Sequence, residues 1–322
     1  MQLNGNRFVI IGRAGMDFYP DPPGTRTEEA KQFVACLGGS SANIGVAITR
    51  LGGSADLVTC VSDDAIGRFA LNELDKYGIG RKHVRSVGGE ARNSLAVVET
   101  RIEDHQSVIY RNGAADFEMA RTDVEAVDYD RYDALITTGT VFAAEPSRSA
   151  AFRGFEMAKT AGLHLIFDID YRPYSWPSAD VAAEVYSRAG AMCDVIIGND
   201  VEFGFMAGSY ARGLDKAREL VAQGAQLVVY KMGEKGAITI TRDAEITTGI
   251  YRTEALKPTG AGDSFMGGLV MGLAAGLPVR EAVLQGSASA AMVVARVGCA
   301  PAMPTREELD DFLKHQADPS AA

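Results

Sequence analysis

The chain has 322 residues, 47% of them hydrophobic, and a formal net charge of −10. This allows one sizeable core with room for a small appended subdomain. The acidic balance, with no basic run, argues against nucleic acid or a membrane surface as partner. Four widely spaced cysteines without a CxxC pair are expected to be buried free thiols of a cytoplasmic protein.

Met1 to Arg7 is short and polar, unlike a signal peptide. Apolar stretches are broken by glycines and charges, so no transmembrane helix is expected. Phe8-Val9-Ile10-Ile11-Gly12 is a continuous apolar run and predicts a buried parallel strand. Arg13 and Asp17 follow it. Met16 to Phe33 is Pro-rich and polar and is not a βα unit. Leu37-Gly38-Gly39-Ser40-Ser41-Ala42-Asn43-Ile44-Gly45-Val46-Ala47 then opens a helix running to about Leu51. Its glycine pair allows close approach of a polyol. Asn43 offers a donor and an acceptor to a sugar hydroxyl. Taken alone, the same string is more often a plain turn with a helix N-cap.

A helix is predicted over Ala65 to Tyr77, ended by Gly78. Asn93 to Tyr110 alternates strictly around Glu103-Asp104-His105-Gln106, as in a half-exposed hairpin. Strands at Ala134–Thr138, Leu163–Asp168, Val195–Gly198 and Gln226–Lys231 interleave with helices at Ser147–Ala161 and Leu214–Gln223. Such alternation predicts a doubly wound α/β sheet. Asp168-Ile169-Asp170-Tyr171-Arg172-Pro173-Tyr174-Ser175-Trp176 follows a strand end, where ligands of open sheets bind. Arginine there could read a carboxylate through two parallel bonds, or pair with Asp168 or Asp170. Asn199-Asp200-Val201-Glu202 reads as an acidic helix start. Lys231-Met232-Gly233-Glu234-Lys235-Gly236 reads as a turn after a strand.

Pro258-Thr259-Gly260-Ala261-Gly262-Asp263-Ser264 precedes an apolar stretch from Phe265 to Leu277. Free N–H groups at a helix start favour an anion, and the glycines let it come close. Beside a bound phosphate, Asp263 can take a proton from an attacking hydroxyl. The amides of Gly260, Ala261 and Gly262 would hold the developing charge. No Gly-x-x-x-x-Gly-Lys-Ser/Thr string occurs, which argues against a P-loop enzyme. The first strand lacks a Gly-x-Gly-x-x-Gly turn, which argues against a nicotinamide dehydrogenase. Ala288 to Val297 is a buried Ala/Val-rich helix by pattern.

The two glycine strings, in this order, resemble the N- and C-terminal signatures of the ribokinase-like (PfkB) carbohydrate kinases. The resemblance spans Phe8 to about Thr305. It implies a single domain over 1–322, with a mostly parallel sheet flanked by helices. Insertions at about 16–35 and 92–112 would form a small β-lid. By the same resemblance Asp17, Gly38, Gly39 and Asn43 bind sugar hydroxyls. Asn199 and Glu202 help hold Mg²⁺ through water. Lys231, Gly233, Lys235, Gly236 and Thr259, with Asn199, contact the phosphates of ATP, and Ala288 to Val297 line the adenine pocket.

One departure concerns a monovalent cation. The family often places an acidic residue two positions before the motif threonine, and here that position is Lys257. The lysine is expected to replace the activating ion, or the ion to be dispensable.

The Asp168–Trp176 segment is similar to that of 2-keto-3-deoxygluconate kinases, with Asp170 in place of their Asn. It is closer to that of the 5-dehydro-2-deoxygluconate kinases of myo-inositol catabolism. Tyr110-Arg111 stands where sugar-acid kinases place a substrate arginine; otherwise Arg111 is a solvated strand end. Arg13 is a third candidate cation. The implied reaction is ATP plus 5-dehydro-2-deoxy-D-gluconate giving the 6-phosphate and ADP. Rivals are a 2-keto-3-deoxygluconate kinase, a fructokinase or ribokinase, and a non-catalytic sugar or nucleotide sensor. A homodimer is expected from exposed lid edges.

Overall fold

The computed structural model describes residues 1–319. Thirteen strands form two sheets. In chain order they are β1 (Arg7–Ile11), β2 (Gly15–Asp21), β3 (Gln32–Gly38), β4 (Ser54–Ser62), β5 (Gly80–Val87), β6 (Leu95–Val98), β7 (Ser107–Tyr110), β8 (Ala134–Thr138), β9 (His164–Asp168), β10 (Val195–Asn199), β11 (Leu227–Lys231), β12 (Ala237–Ile240) and β13 (Glu245–Thr248). The larger sheet has the order β13-β12-β11-β10-β9-β8-β1-β4-β5. It is parallel except at β12 and β13, where a hairpin reverses the chain.

Apolar runs alternate between the two faces of this sheet, as a period of two requires. Phe8 and Ile10 enter one core, while Val9 and Ile11 enter the other. The pattern repeats at β9, where Ile166 faces the first core and Leu165 and Phe167 face the second. This two-sided burial is why the central strands read as unbroken hydrophobic runs.

Helices α1 (Ser40–Arg50) and α2 (Ala65–Lys76) cover the first face, together with α8 (Ala261–Ala274), α9 (Val279–Val294) and α10 (Arg306–His315). The other face carries α3 (Arg121–Glu125), α4 (Ser147–Thr160), α5 (Ala179–Gly190), α6 (Asp200–Met206) and α7 (Gly213–Gln223). The strands predicted in the main sheet and the helices predicted at Ala65–Tyr77, Ser147–Ala161 and Leu214–Gln223 are present within one or two residues at their ends, whereas β6 stops at Val98, short of the predicted turn at Glu103, and the Ala288–Val297 segment belongs to a longer helix that ends at Val294. The structure adds β4, a buried strand beside β1 whose apolar residues are broken by Asp56 and Thr59, and β5, β12 and β13, which carry polar or mixed sequence towards the sheet edges.

The smaller sheet has the order β3-β2-β6-β7. Strands β2 and β6 are parallel neighbours, and antiparallel partners flank them on both sides. The Pro-rich stretch after Met16 thus still contributes strand β2, because a sheet this narrow needs no central apolar run. Tyr19, Cys36, Ala96 and Val98 form a small core that closes on Cys299. Four cysteines are free and buried, as expected. Among the described residues no helix is long and apolar enough to cross a membrane.

Candidate active site

A cavity of about 1020 Å³ lies between the carboxyl ends of the main-sheet strands and one face of the smaller sheet. Strands β1, β9, β10 and β11 deliver to it Arg13, Asp168 and Asp170, Asn199 and Glu202, and Lys231. This is the position where open α/β sheets bind ligands. Ala96, Val98, Ser107 and Ile109 form part of the opposite wall.

At its centre, Gly260 caps α8 and leads into Ala261, Gly262 and Asp263 on the first turn. Gly260 has φ +87°, and a Cβ there would lie 2.9 Å from Cys299 Sγ, so glycine is required. The amides of this turn have no intrahelical acceptor and carry the positive end of the helix. Asp263 Oδ2 accepts a hydrogen bond from Asn43 Nδ2 at 2.9 Å, joining the two glycine motifs 220 residues apart. Burial and the Asp170 carboxylate push the Asp263 pKa up to about 7, against the pull of Asn43, Arg172 and Arg13. A carboxylate poised near neutrality beside a row of free amides can accept a hydroxyl proton while an anion is held.

One end of the cavity is cationic and rich in hydrogen-bonding groups. Arg13 is buried, donates to Ser94 Oγ at 3.2 Å, and has a buried Nε with no partner. Arg172 pairs with Asp170 at 2.7 Å yet remains 40% exposed. Asp170 also accepts from Ser40 Oγ at 2.7 Å, and its backbone has φ +38°. Such a conformation is costly for a non-glycine residue and marks a site held by its surroundings. Burial raises the Asp170 pKa, but Arg172, Ser40, Arg13 and Arg111 outweigh it and hold the group below the ordinary carboxylate range. Asp17 is buried nearby, and desolvation lifts its pKa to about 6 against the attraction of Arg13. Gly38 stands behind it: a Cβ there would meet Asp17 Oδ1 at 1.9 Å.

The other end is lined by Gly233, Glu234, Gly236, Thr259, Phe265 and the α9 side chains Val283, Ser287, Ala290, Ala291 and Val294. Lys231 Nζ lies 3.6 Å from where a Gly262 Cβ would stand, close against the amide turn. Glu202 caps its own helix reciprocally with Asn199: one oxygen accepts from Asn199 N at 2.8 Å, and the other from Tyr171 N at 3.2 Å. Burial raises the pKa of Glu202 and raises that of Asp168 well above the carboxylate range, with Lys231 opposing both. Buried carboxylates gathered in this way suit a hard cation, which would restore their ionised forms. Among the described residues no three His, Cys, Asp or Glu side chains converge as direct ligands. The donor set therefore suits a divalent ion that keeps most of its water.

Four sequence candidates do not line the cavity: Gly38, Tyr110, Arg111 and Lys235. Arg111 is not a solvated strand end, and it does not line the cavity. It is buried against Asp116, donates to Thr140 O at 2.9 Å and stacks on Phe117. Tyr110 is 63% exposed on the smaller sheet. Lys235 is exposed beyond its turn, and its neighbour Glu234 lines the cavity instead. Conversely, Asp168, Ser40 and Tyr174 line the site and were not among its candidates. The sequence signal for Asp168 was a lone carboxylate ending an apolar strand.

Residues 6–306 match the model of the pfkB family carbohydrate kinases. A 5-dehydro-2-deoxygluconokinase of Photobacterium profundum is 35% identical over 311 residues, covering 95% of this chain and 94% of the relative. The enzyme of that name from Geobacillus kaustophilus is 33% identical, with 98% and 96% covered. Aminoimidazole riboside kinase of Salmonella enterica, solved with its riboside and an ATP analogue, superposes with a TM-score of 0.82 at 25% identity, covering 96% and 99% of the two chains. Fructokinase of Vibrio cholerae, solved with fructose, ADP and calcium, gives 0.84 at 25% identity, covering 96% and 99%. The chain belongs to the pfkB family of carbohydrate kinases, and it is an ATP-dependent phosphotransferase.

Proposed function

We propose that this kinase phosphorylates 5-dehydro-2-deoxy-D-gluconate at its terminal hydroxyl, giving the 6-phosphate and ADP. The observation that carries the reading is a base, an amide turn and the arginines Arg13 and Arg172 in one continuous cavity. Asp263 takes the hydroxyl proton. The amides of Gly260, Ala261 and Gly262 hold the transferring phosphoryl. Asn43 orients the carboxylate of Asp263 and, with Asp17 and Gly39, receives sugar hydroxyls.

The substrate carboxylate is read by Arg13 and Arg172, which line the cavity beside Asp17 and Asp170, and not by Arg111. Arg13 supports this best, since a buried guanidinium with an unmatched Nε gains most from an anion. Gly233, Gly236, Lys231 and Thr259 border the ATP phosphates, and the apolar flank of α9 borders the base. Mg²⁺, held through water by Glu202, Asn199 and neighbouring carboxylates, supplies charge neutralisation on the phosphates when bound.

Lys257 stands in for a monovalent cation. Its side chain is fully buried, and Nζ donates to Thr259 O at 2.5 Å and Val293 O at 3.3 Å. It thus places one positive charge beneath the amide turn. The smaller sheet serves as a lid, and its exposed edge strands make it the dimerisation surface. Buried free thiols suit the cytoplasm.

The test is ADP release with MgATP against 5-dehydro-2-deoxygluconate, 2-keto-3-deoxygluconate, fructose and ribose. The first acid is expected to give the highest kcat/KM, and Arg13→Gln to raise its KM at least tenfold with fructose unaffected. Preference for a neutral sugar overturns the carboxylate reading and returns Arg172 to its pair with Asp170.

A further inference from the structure

Three arginines line the cavity, and two of them have protein partners: Arg13 donates to Ser94, and Arg172 pairs with Asp170. Arg252 is the third, and among the described residues it has neither an ion pair nor a hydrogen bond. It stands in the loop of residues 249–256, of which Gly249, Ile250, Tyr251, Arg252, Thr253 and Ala255 line the cavity. The loop starts beside the Gly233–Gly236 turn, where a Cβ on Gly236 would lie 3.0 Å from Gly249 Cα. It ends on α9, where Leu256 N donates to Val294 O at 2.8 Å. It therefore frames the end of the cavity that borders the nucleotide.

That end is short of free positive charge. Lys257 is buried and bonded to two carbonyls, and Lys235 does not line the cavity. Lys231 remains, close against the amide turn that opens α8. A triphosphate bound by a chain of net charge −10 needs cations at close range. A guanidinium offers paired donors to phosphate oxygens and keeps its charge at any working pH. Arg252 follows Gly249 by only three residues, so its long side chain serves the phosphate side of this end. The opposite side, at Ala291 and Val294, is apolar and suits the base.

Among the described residues, 250–255 make no backbone–backbone hydrogen bond, so side chains must hold the loop. Between Ile250 and Leu256 only Tyr251 is buried. Its ring meets Phe312 of α10 edge to face, with centroids 5.6 Å apart and planes at 75°. Arg280 of α9 pairs with Asp318 through two bonds of 2.7 and 2.8 Å, which ties the chain after α10 back to α9. The Tyr251–Phe312 contact is thus the fixed point beside Arg252. We propose that Arg252 is a further nucleotide-binding residue, which holds phosphate oxygens of ATP, and that Phe312 is a positioning residue that sets it there through Tyr251. The proposal rests on the placement of the nucleotide at this end of the cavity, but not on the identity of the sugar.

The test titrates MgADP and adenosine, without sugar, into the wild type, Arg252→Gln, Phe312→Ala, Phe312→Tyr and the Arg252→Gln/Phe312→Ala pair. Loss of a charge-assisted bond predicts that Arg252→Gln weakens MgADP about tenfold and leaves adenosine as it was. KM for ATP should rise by the same factor, with KM for the sugar at saturating ATP within about twofold of wild type. Phe312→Ala should weaken MgADP about threefold, and Arg252→Gln should then add less than it does alone, because the arginine is already out of place. Phe312→Tyr keeps the ring and should bind MgADP like the wild type. Unchanged MgADP affinity in Arg252→Gln overturns the phosphate contact, and so does an equal loss for adenosine, which moves the contact to the base. Equal weakening of MgADP and adenosine in Phe312→Ala, or full additivity in the pair, overturns the positioning role. Lys231→Ala separates the two possible failures. If it weakens MgADP while Arg252→Gln is silent, the arginine alone is struck out. If both are silent, the nucleotide placement falls and this proposal with it.

Discussion

Asp263 is held near pKa 7 because its carboxylate sits among Asp170 and apolar walls, with the Asn43 amide as its one hydrogen-bond donor. That placement serves catalysis at the expense of stability. The gap from 3.8 to about 7 means that ionisation in the folded protein costs at most about 4 kcal/mol, a cost absent below pH 3.8 and complete above pH 7. Asp263→Asn should therefore raise Tm at pH 8 while lowering kcat about 10²–10⁴-fold with both substrates still bound. Calorimetry and single-turnover kinetics check the two halves; near-normal kcat removes Asp263 as the base. For the wild type, kcat/KM should fall as pH drops below about 7, since only the ionised form accepts a proton. Lys257 is the other residue whose burial has a readable consequence. With an ammonium already bonded to two carbonyls, exchanging sodium for potassium should change kcat less than twofold. A large potassium activation would show that the ion site persists beside the lysine. Residue roles were the least legible layer. Arg111 and Arg172 look alike in sequence, each following a tyrosine, and only the packing of Asp116 and Phe117 shows that Arg111 is paired away from the cavity lining.

The elements themselves were largely legible. The central strands announce themselves because both faces of the sheet are buried, and the helices because glycine ends α2, α4 and α7. The two motifs were readable at this scale too, since a turn of small residues before an apolar helix implies free amides. What that turn demands is specific. Gly260→Ala would place a Cβ in a left-handed backbone against Cys299, at a cost of about 1–2 kcal/mol for the conformation alone. Relief of that strain would move the Ala261 and Gly262 amides. The variant is expected to lose at least tenfold in kcat with a small fall in Tm, checked by kinetics and thermal unfolding. Unchanged kcat would mean that the cradle lies elsewhere. Strands β2 and β3 were not legible as strands, because one side of the smaller sheet meets solvent and the stretch between them is polar and Pro-rich.

Across the whole molecule, the cavity is one space shared by both ligand ends, roofed by strands from two distant stretches of chain. Sugar and nucleotide should therefore stabilise each other's binding. Each alone at 100 times its Kd adds about 2.7 kcal/mol, and the acid sugar with MgADP together should raise Tm by more than the sum of the separate shifts. Simple additivity would show that the smaller sheet does not close on both. Periodicity and turn chemistry by themselves determined the alternating α/β fold, the anion-binding turn and its carboxylate, because these are local and follow from backbone hydrogen bonding and side-chain size. Only the tertiary structure decided which arginines line the cavity, that Asn43 meets Asp263, that Lys257 lies buried under the cradle, and that Tyr251 rests on Phe312. Those facts depend on contacts between residues far apart in the chain, and burial and pairing, which set each group's charge and reach, exist only once the chain is packed.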